Sequence, residues 1–303
     1  MNKKNLDKSI TLIGPSSVGK SLLSAELSKK TGYSLICIDD LLDLIELEMN
    51  GTISPKKSDQ KKLAKRLICE LKQDPETDNY FLDKEYKTQV FSMVHEFINE
   101  YNYYVKLFGS LDHFYPIVQN YIKISDLYDE PIDYLNLLAL TTAKLLEKAF
   151  ILIDTPLIID SPAGFGWDTD QMHFTPELTE ELECQNINMN FAHYKKFIRK
   201  LLKSSNSVLL VPGKDYKLRN AARKNSFNKI ILQNMDNYYI SADLVLSVNG
   251  IFNNPTDPSL KNRSWFDAKS HLDREKLKNK GEISNICDQI LLYLEDLAQS
   301  KTI

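Results

Sequence analysis

Cysteine is scarce, with four in 303 residues: Cys37, Cys69, Cys184 and Cys287. They lie far apart and form no C-x-x-C pair, which excludes a disulfide framework and a cysteine-built metal site. They read as buried thiols in a reducing compartment. Long apolar runs are missing as well. The longest, such as 150–153 and 208–211, suit buried strands and fall far short of a membrane span. The first eight residues are charged and carry no apolar signal-peptide core, so the expected location is the cytoplasm. Neither sign of charge is in excess. A net charge of −3 gives no general attraction to nucleic acid or to an anionic membrane. The histidines, His95, His113, His173, His193 and His271, show no metal-ligand spacing, and His95 reads as a packed core residue of an apolar helix. There is no internal repeat. Between 52 and 148 glycine is absent except for Gly109, which suits a block of helices. What remains is ordinary for a soluble globular chain, 43% hydrophobic and 26% charged, long enough for one extended domain or two small ones.

Against that background one segment stands out. Residues 14–21 read Gly-Pro-Ser-Ser-Val-Gly-Lys-Ser, which is G-x-x-x-x-G-K-S without a mismatch. Before it lies the β-prone run 9–13, and after it residues 22–30 carry helical spacing in Leu22, Leu23, Ala25 and Leu27. A phosphate-binding P-loop needs that order of strand, turn and helix, because loop N–H groups and the helix N-terminus hold the anion together. Gly14 and Gly19 permit backbone angles that a side chain blocks. Ser16, Ser17, Val18 and Leu22 complete the cradle. Lys20 is placed to reach the β- and γ-phosphates and the Ser21 hydroxyl to ligate Mg²⁺. The expected ligand is ATP, since no N-K-x-D guanine signature occurs; Asn228-Lys229 and Asn249-Gly250 do not make one.

The remaining chain extends this start. A second apolar run at 35–38 follows Gly32 and ends at Asp39-Asp40, giving a βαβ unit and hence a parallel sheet with right-handed crossovers. The block 52–148 has helical periodicity: a helix opened by Pro55, a second over 86–108 and a third over 132–148. It reads as an α-helical insertion on the acceptor side, with room for a protein partner. Its aromatics Tyr101, Tyr103, Tyr104, Phe108, Phe114 and Tyr115 either line a substrate cavity or pack the insertion, and packing is the better reading. The sheet resumes at 150–154 and 157–160, then at 207–211 and 242–248. An amphipathic helix spans 191–203 and another closes the chain over 283–297. The expected fold is therefore α/β: a P-loop kinase-like core at 1–51 and 149–303 with a large helical insertion at 52–148.

Phosphoryl transfer needs a metal, a group for the nucleophile and positive charge over the transferred phosphoryl. Asp39 and Asp40 sit at the carboxyl end of the second strand, where open parallel sheets bind ligands. Asp39 is the candidate for accepting the acceptor's hydroxyl proton. Asp40 is the candidate N-cap of a helix over 41–49. Asp160 and Asp154 compete as the acid that holds Mg²⁺, with Asp160 favoured. It precedes Ser-Pro-Ala-Gly-Phe-Gly, whose Gly164 and Gly166 let backbone approach a substrate. Lys214, Lys217, Arg219, Arg223 and Lys224 form a basic stretch within about 212–226. Arg219 and Arg223 share a helix face at i, i+4, as a lid that clamps phosphate would require.

Together these segments resemble the shikimate-kinase-like branch of the small P-loop kinases. The likeness rests on residues 14–21, on Asp39, on the loop after Asp160 and on the basic stretch after 208–212. It implies a mobile lid whose arginine contacts ATP, for which Arg219 is the candidate, and a D-x-D pair after the second strand. Cys37 falls where that family has its metal-side Asp, and Asp39 falls on the acid that binds the substrate hydroxyl. The family's glycine triplet is replaced by Ala163-Gly164-Phe165-Gly166, and its substrate-carboxylate arginines have no counterpart, which argues against shikimate as the acceptor. The P-loop wording is also similar to that of tRNA prenyltransferases, and the chain has a third likeness to zeta-toxin-type kinases. A P-loop ATPase acting on a macromolecular partner is the alternative from a different class.

Overall fold

Four- to seven-residue apolar runs, each bounded by polar or turn residues, form the strands. The computed structural model describes residues 8–14, 18–53, 84–127, 131–160, 173–185, 187, 191–212, 242–248 and 279–300. Within them β1 (Ile10–Ile13), β2 (Ser34–Cys37), β3 (Leu157–Asp160), β4 (Asn206–Pro212) and β5 (Leu244–Val248) make one sheet in the order β2-β3-β1-β4-β5. Every neighbouring pair is parallel. Parallel pairing forces each connection to cross over the sheet, so helices cover both faces. The class is α/β, a five-stranded parallel sheet flanked by helices.

The two faces are unequally clothed. On one, Ile10, Leu12, Ile158, Val208 and Leu210 pack against α1 (Lys20–Thr31), through Leu23 and Leu27, and against the C-terminal helix Lys280–Ser300, through Ile286 and Ile290. On the other, Ile36, Leu157 and Ile159 lie under a thick helical layer: α2 (Ile38–Met49), α3 (Lys84–Phe108), α4 (Tyr115–Ser125), α5 (Pro131–Leu152), α6 (Pro176–Cys184) and α7 (Phe191–Ser204). The C-terminal helix is α8. The alternation of Leu157, Ile158 and Ile159 between the two cores is the period-two signature of a strand buried on both sides. The helices between β2 and β3 thus form one expanded crossover. They share a core with the sheet rather than building a separate one.

The aromatics of that layer pack. Tyr101 and Phe114 are fully buried, and Phe108 meets Phe114 edge to face at 4.8 Å between ring centroids. Tyr104 stacks on Phe108 at 6.1 Å. Two hydroxyls also close the sheet's open edge. Tyr103 Oη accepts from Leu35 N at 2.8 Å and donates to Leu35 O at 3.0 Å. Tyr104 does the same at Cys37, at 2.9 and 3.2 Å. An edge strand left with such groups unpaired invites pairing with another chain.

Several expectations need correction. Residues 150–152 are the last turn of α5, not a strand, and β3 begins only at Leu157. Phe150 and Ile153 are buried while Ile151 is 64% exposed, a spacing of three that belongs to a helix face. The helix expected over 41–49 starts at Ile38, so Asp40 lies in its first turn and Cys37 holds the N-cap position without a side-chain capping bond. His95 and Cys184 are exposed rather than buried. The helix opened by Pro55, together with Cys69 and His271, lies outside the described residues.

Removal of the Phe114 ring leaves a void at the centre of the helical layer. Phe114→Ala should lower unfolding stability by about 3–5 kcal/mol, as for other buried Phe truncations. Urea denaturation measures it, and a loss below about 1 kcal/mol would contradict this packing.

Candidate functional site

The site begins where β1 leaves the sheet. Gly14 has φ 151° and is buried; a Cβ there would sit 2.9 Å from the Leu210 carbonyl oxygen on β4. That is closer than real Cβ atoms come, so only glycine lets the chain turn against β4. Gly19 holds φ 103°, also in the region that disfavours side chains, and is the N-cap residue of α1. Glycine at the N-cap offers α1 no capping side chain, and no acid stands in its first turn. Its N-terminus therefore carries the partial positive charge that suits an anion. Val18 is buried beneath the turn, Leu22 is half-buried and Ser21 is exposed. Lys20 is only 8% exposed, and its Nζ donates to Gly14 O at 2.9 Å. The lysine thus folds back across the turn. Ser16 and Ser17 lie outside the described residues.

The neighbouring strand ends bring acids to this turn. In the register, Asp160 at the end of β3 is the Cα partner of both Leu12 and Cys37. Asp160 is 4% exposed. Burial pushes its carboxyl above the usual range, while the Lys20 charge and hydrogen bonding by Ser21 and Cys37 pull it back. Its Oδ2 is buried with no hydrogen-bond partner among the described residues. A buried carboxylate oxygen without a partner is costly, and a cation beside it would remove the cost. Ser21 and Asp160 are thus the oxygen donors that could hold a hard cation such as Mg²⁺ here. Among the described residues no three His, Cys, Asp or Glu side chains converge as a complete metal cage.

Asp39 stands on the first turn of α2, within the field of both Asp160 and Lys20. The Asp39 side chain is exposed at the surface, although protein groups crowd its carboxyl. Desolvation, reinforced by Asp160 and offset by Lys20, pushes its pKa up to about 6. Behind it runs an acidic wall that sequence reading missed. Desolvation and Asp39 raise Asp43 to about 7, and desolvation and Glu96 raise Glu100 on α3 to about 7. Asp40 is raised by burial and by Glu100. The i, i+4 spacing of Asp39 and Asp43 was a readable signal. Nothing local in the sequence announces Glu100, which the fold delivers from α3.

Cys37 fills the position between these groups. Burial, then Asp40 and Asp160, push its thiol well up, so it stays neutral beside the two carboxyls. Asp154, the competitor of Asp160, is exposed in the turn between α5 and β3. Gly164, Gly166, Arg219 and Arg223 lie outside the described residues. A shallow hollow between α5 and α7, lined by Leu140, Ala143 and Phe197 among others, shares no residue with this site.

The raised carboxyls set a pH dependence. Asp39, Asp43 and Glu100 hold protons more tightly in the folded chain than in the unfolded one, where Asp and Glu titrate near 4. The folded state then binds more protons between about pH 4 and pH 7, so stability falls as pH rises through that window. The urea midpoint should be higher at about pH 5 than at about pH 8. A midpoint that rises toward pH 8 would contradict the crowded acidic wall.

No helix among the described residues is long and apolar enough to cross a membrane. Comparison of the chain with protein-family models, with curated proteins and with solved structures finds no match.

Proposed function

We propose that this chain is a P-loop kinase, one that transfers the terminal phosphoryl group of ATP to a hydroxyl of a small molecule. The observation that carries this reading is the meeting of three elements. They are Gly14 and Gly19 at the two ends of the motif, the N-terminus of α1 with glycine at its N-cap, and the buried Asp160 Oδ2. They meet at the carboxyl end of a parallel sheet, where the strand order passes across β1 between β3 and β4. Ligands of open α/β sheets bind at such a switch point.

Each residue then has a defined task. The α1 N-terminus and the loop amides hold the β-phosphate. Lys20 leaves Gly14 O and turns its ammonium to the β- and γ-oxygens, neutralising charge as it shifts toward the leaving group. Ser21 and Asp160 would hold Mg²⁺, which when bound supplies charge neutralisation across the β- and γ-phosphates. Asp39, with a pKa of about 6, is ionised at neutral pH and basic enough to take the proton of an acceptor hydroxyl. Arg219 and Arg223 complete the proposal as phosphate-clamping residues of the lid expected from the sequence.

The competing reading is a nucleotide-dependent ATPase that acts on a protein partner through the helical layer. It is favoured by one observation: Cys37, a neutral thiol, stands where related kinases carry a second metal-side acid. The two readings separate on whether ATP turnover rises with small-molecule acceptors or with a macromolecule.

Lys20→Ala should abolish Mg·ATP binding by calorimetric titration while the fold persists, because Lys20 packs no apolar core. Wild-type affinity in that variant would overturn the site. Asp39→Asn should lower turnover by about 10²–10⁴-fold with ATP affinity nearly unchanged, the range for loss of a general base. A fall in melting temperature with unaltered rate per folded molecule would instead make Asp39 structural.

A further inference from the structure

We infer that Tyr104 is a positioning residue of this site: its hydroxyl pins the junction at Cys37 that sets Asp39 on α2 against Asp160 on β3. The inference rests on the kinase reading for its catalytic half. β2 ends at Cys37 and α2 begins at Ile38, so no loop absorbs error between strand and helix. Cys37 is at once the last strand residue, the N-cap of α2 and the Cα partner of Asp160. Asp39 follows two residues later. Whatever fixes the Cys37 peptide groups therefore fixes the spacing of the two acids.

Among the described residues β2 is an edge strand, and no further strand lies beyond it for Cys37 to bond. Tyr104 takes that place from α3, accepting from Cys37 N at 2.9 Å and donating to Cys37 O at 3.2 Å. The ring is buried and stacked on Phe108, which leaves it little freedom. No side chain caps α2, so no capping bond shares this work with the tyrosine. Loss of the hydroxyl would leave a buried N–H without its partner and weaken the hold on the adjoining carbonyl. The junction would then loosen beneath Asp39.

A matched control is built into the chain. Tyr103 makes the same pair of bonds at Leu35, two residues upstream, but on the exposed side of the edge. Tyr103→Phe removes the same chemistry without touching the Cys37 junction.

The experiment compares Tyr104→Phe with Tyr103→Phe in the full chain, by amide hydrogen exchange and by Mg·ATP hydrolysis with water as the probe acceptor. Tyr104→Phe should speed exchange at 37–40 by about tenfold or more, as expected when local opening becomes easier. It should cut kcat by about 10²-fold, the cost of a misplaced reacting group, while KM for ATP stays within about threefold. Tyr103→Phe should leave kcat and exchange at 37–40 unchanged. Equal effects of the two variants, or a Tyr104→Phe defect confined to KM or to the fraction folded, would overturn the inference. Failure of the wild-type chain to bind or turn over Mg·ATP would overturn the kinase reading and the catalytic half with it. The exchange comparison would still decide whether Tyr104 holds the junction.

Discussion

Asp160 is placed by backbone pairing alone. The parallel register sets it beside Leu12 on one side and Cys37 on the other. Two residues past Leu12 the chain must turn at Gly14 against the Leu210 carbonyl, and two residues past Cys37 comes Asp39. One ladder of hydrogen bonds thus sets Gly14 and both acids in a common frame. A slip of one residue in β3 would turn Asp160 to the opposite face and separate it from Lys20. The lower end of the sheet guards that register with polar pins. Ser9 Oγ accepts from Leu157 N at 3.0 Å, and Asp243 Oδ2 accepts from Ser207 N at 2.7 Å.

The thick helical layer has two consequences for the site. It crowds Asp39, Asp40, Asp43 and Glu100, so desolvation dominates the shift in each. It also supplies Tyr103 and Tyr104, which complete the bonding of β2 on the side away from β3. The price is stability at neutral pH, where the crowded carboxyls lose their protons. Such a trade is common where a site must hold groups in states that water would not favour.

Much of this was legible in the sequence because the signals were local. Gly14 and Gly19 take the backbone angles that the motif calls for, and each strand among the described residues falls on an apolar run that can be read directly. The failures have physical reasons. Residues 150–153 are apolar throughout, and a short fully apolar run does not distinguish the end of a buried helix from a strand. Asp40 looked like a cap because Asp caps well, but the helix starts at Ile38, where Tyr104, a residue from a distant helix, supports the backbone. Glu100 and the tyrosine bonds were invisible because they depend on how α3 docks, which no window of local sequence encodes.

The most direct measurement replaces Mg²⁺ with Mn²⁺ and follows paramagnetic broadening of the assigned protein resonances on adding ATP. Mn·ATP should broaden the amides of Gly19, Lys20 and Ser21 and the side-chain carboxyl of Asp160 first, with Asp39 close behind, while α8 and the lower end of the sheet stay sharp. Broadening centred anywhere else, or none at saturating Mn·ATP, would contradict this site.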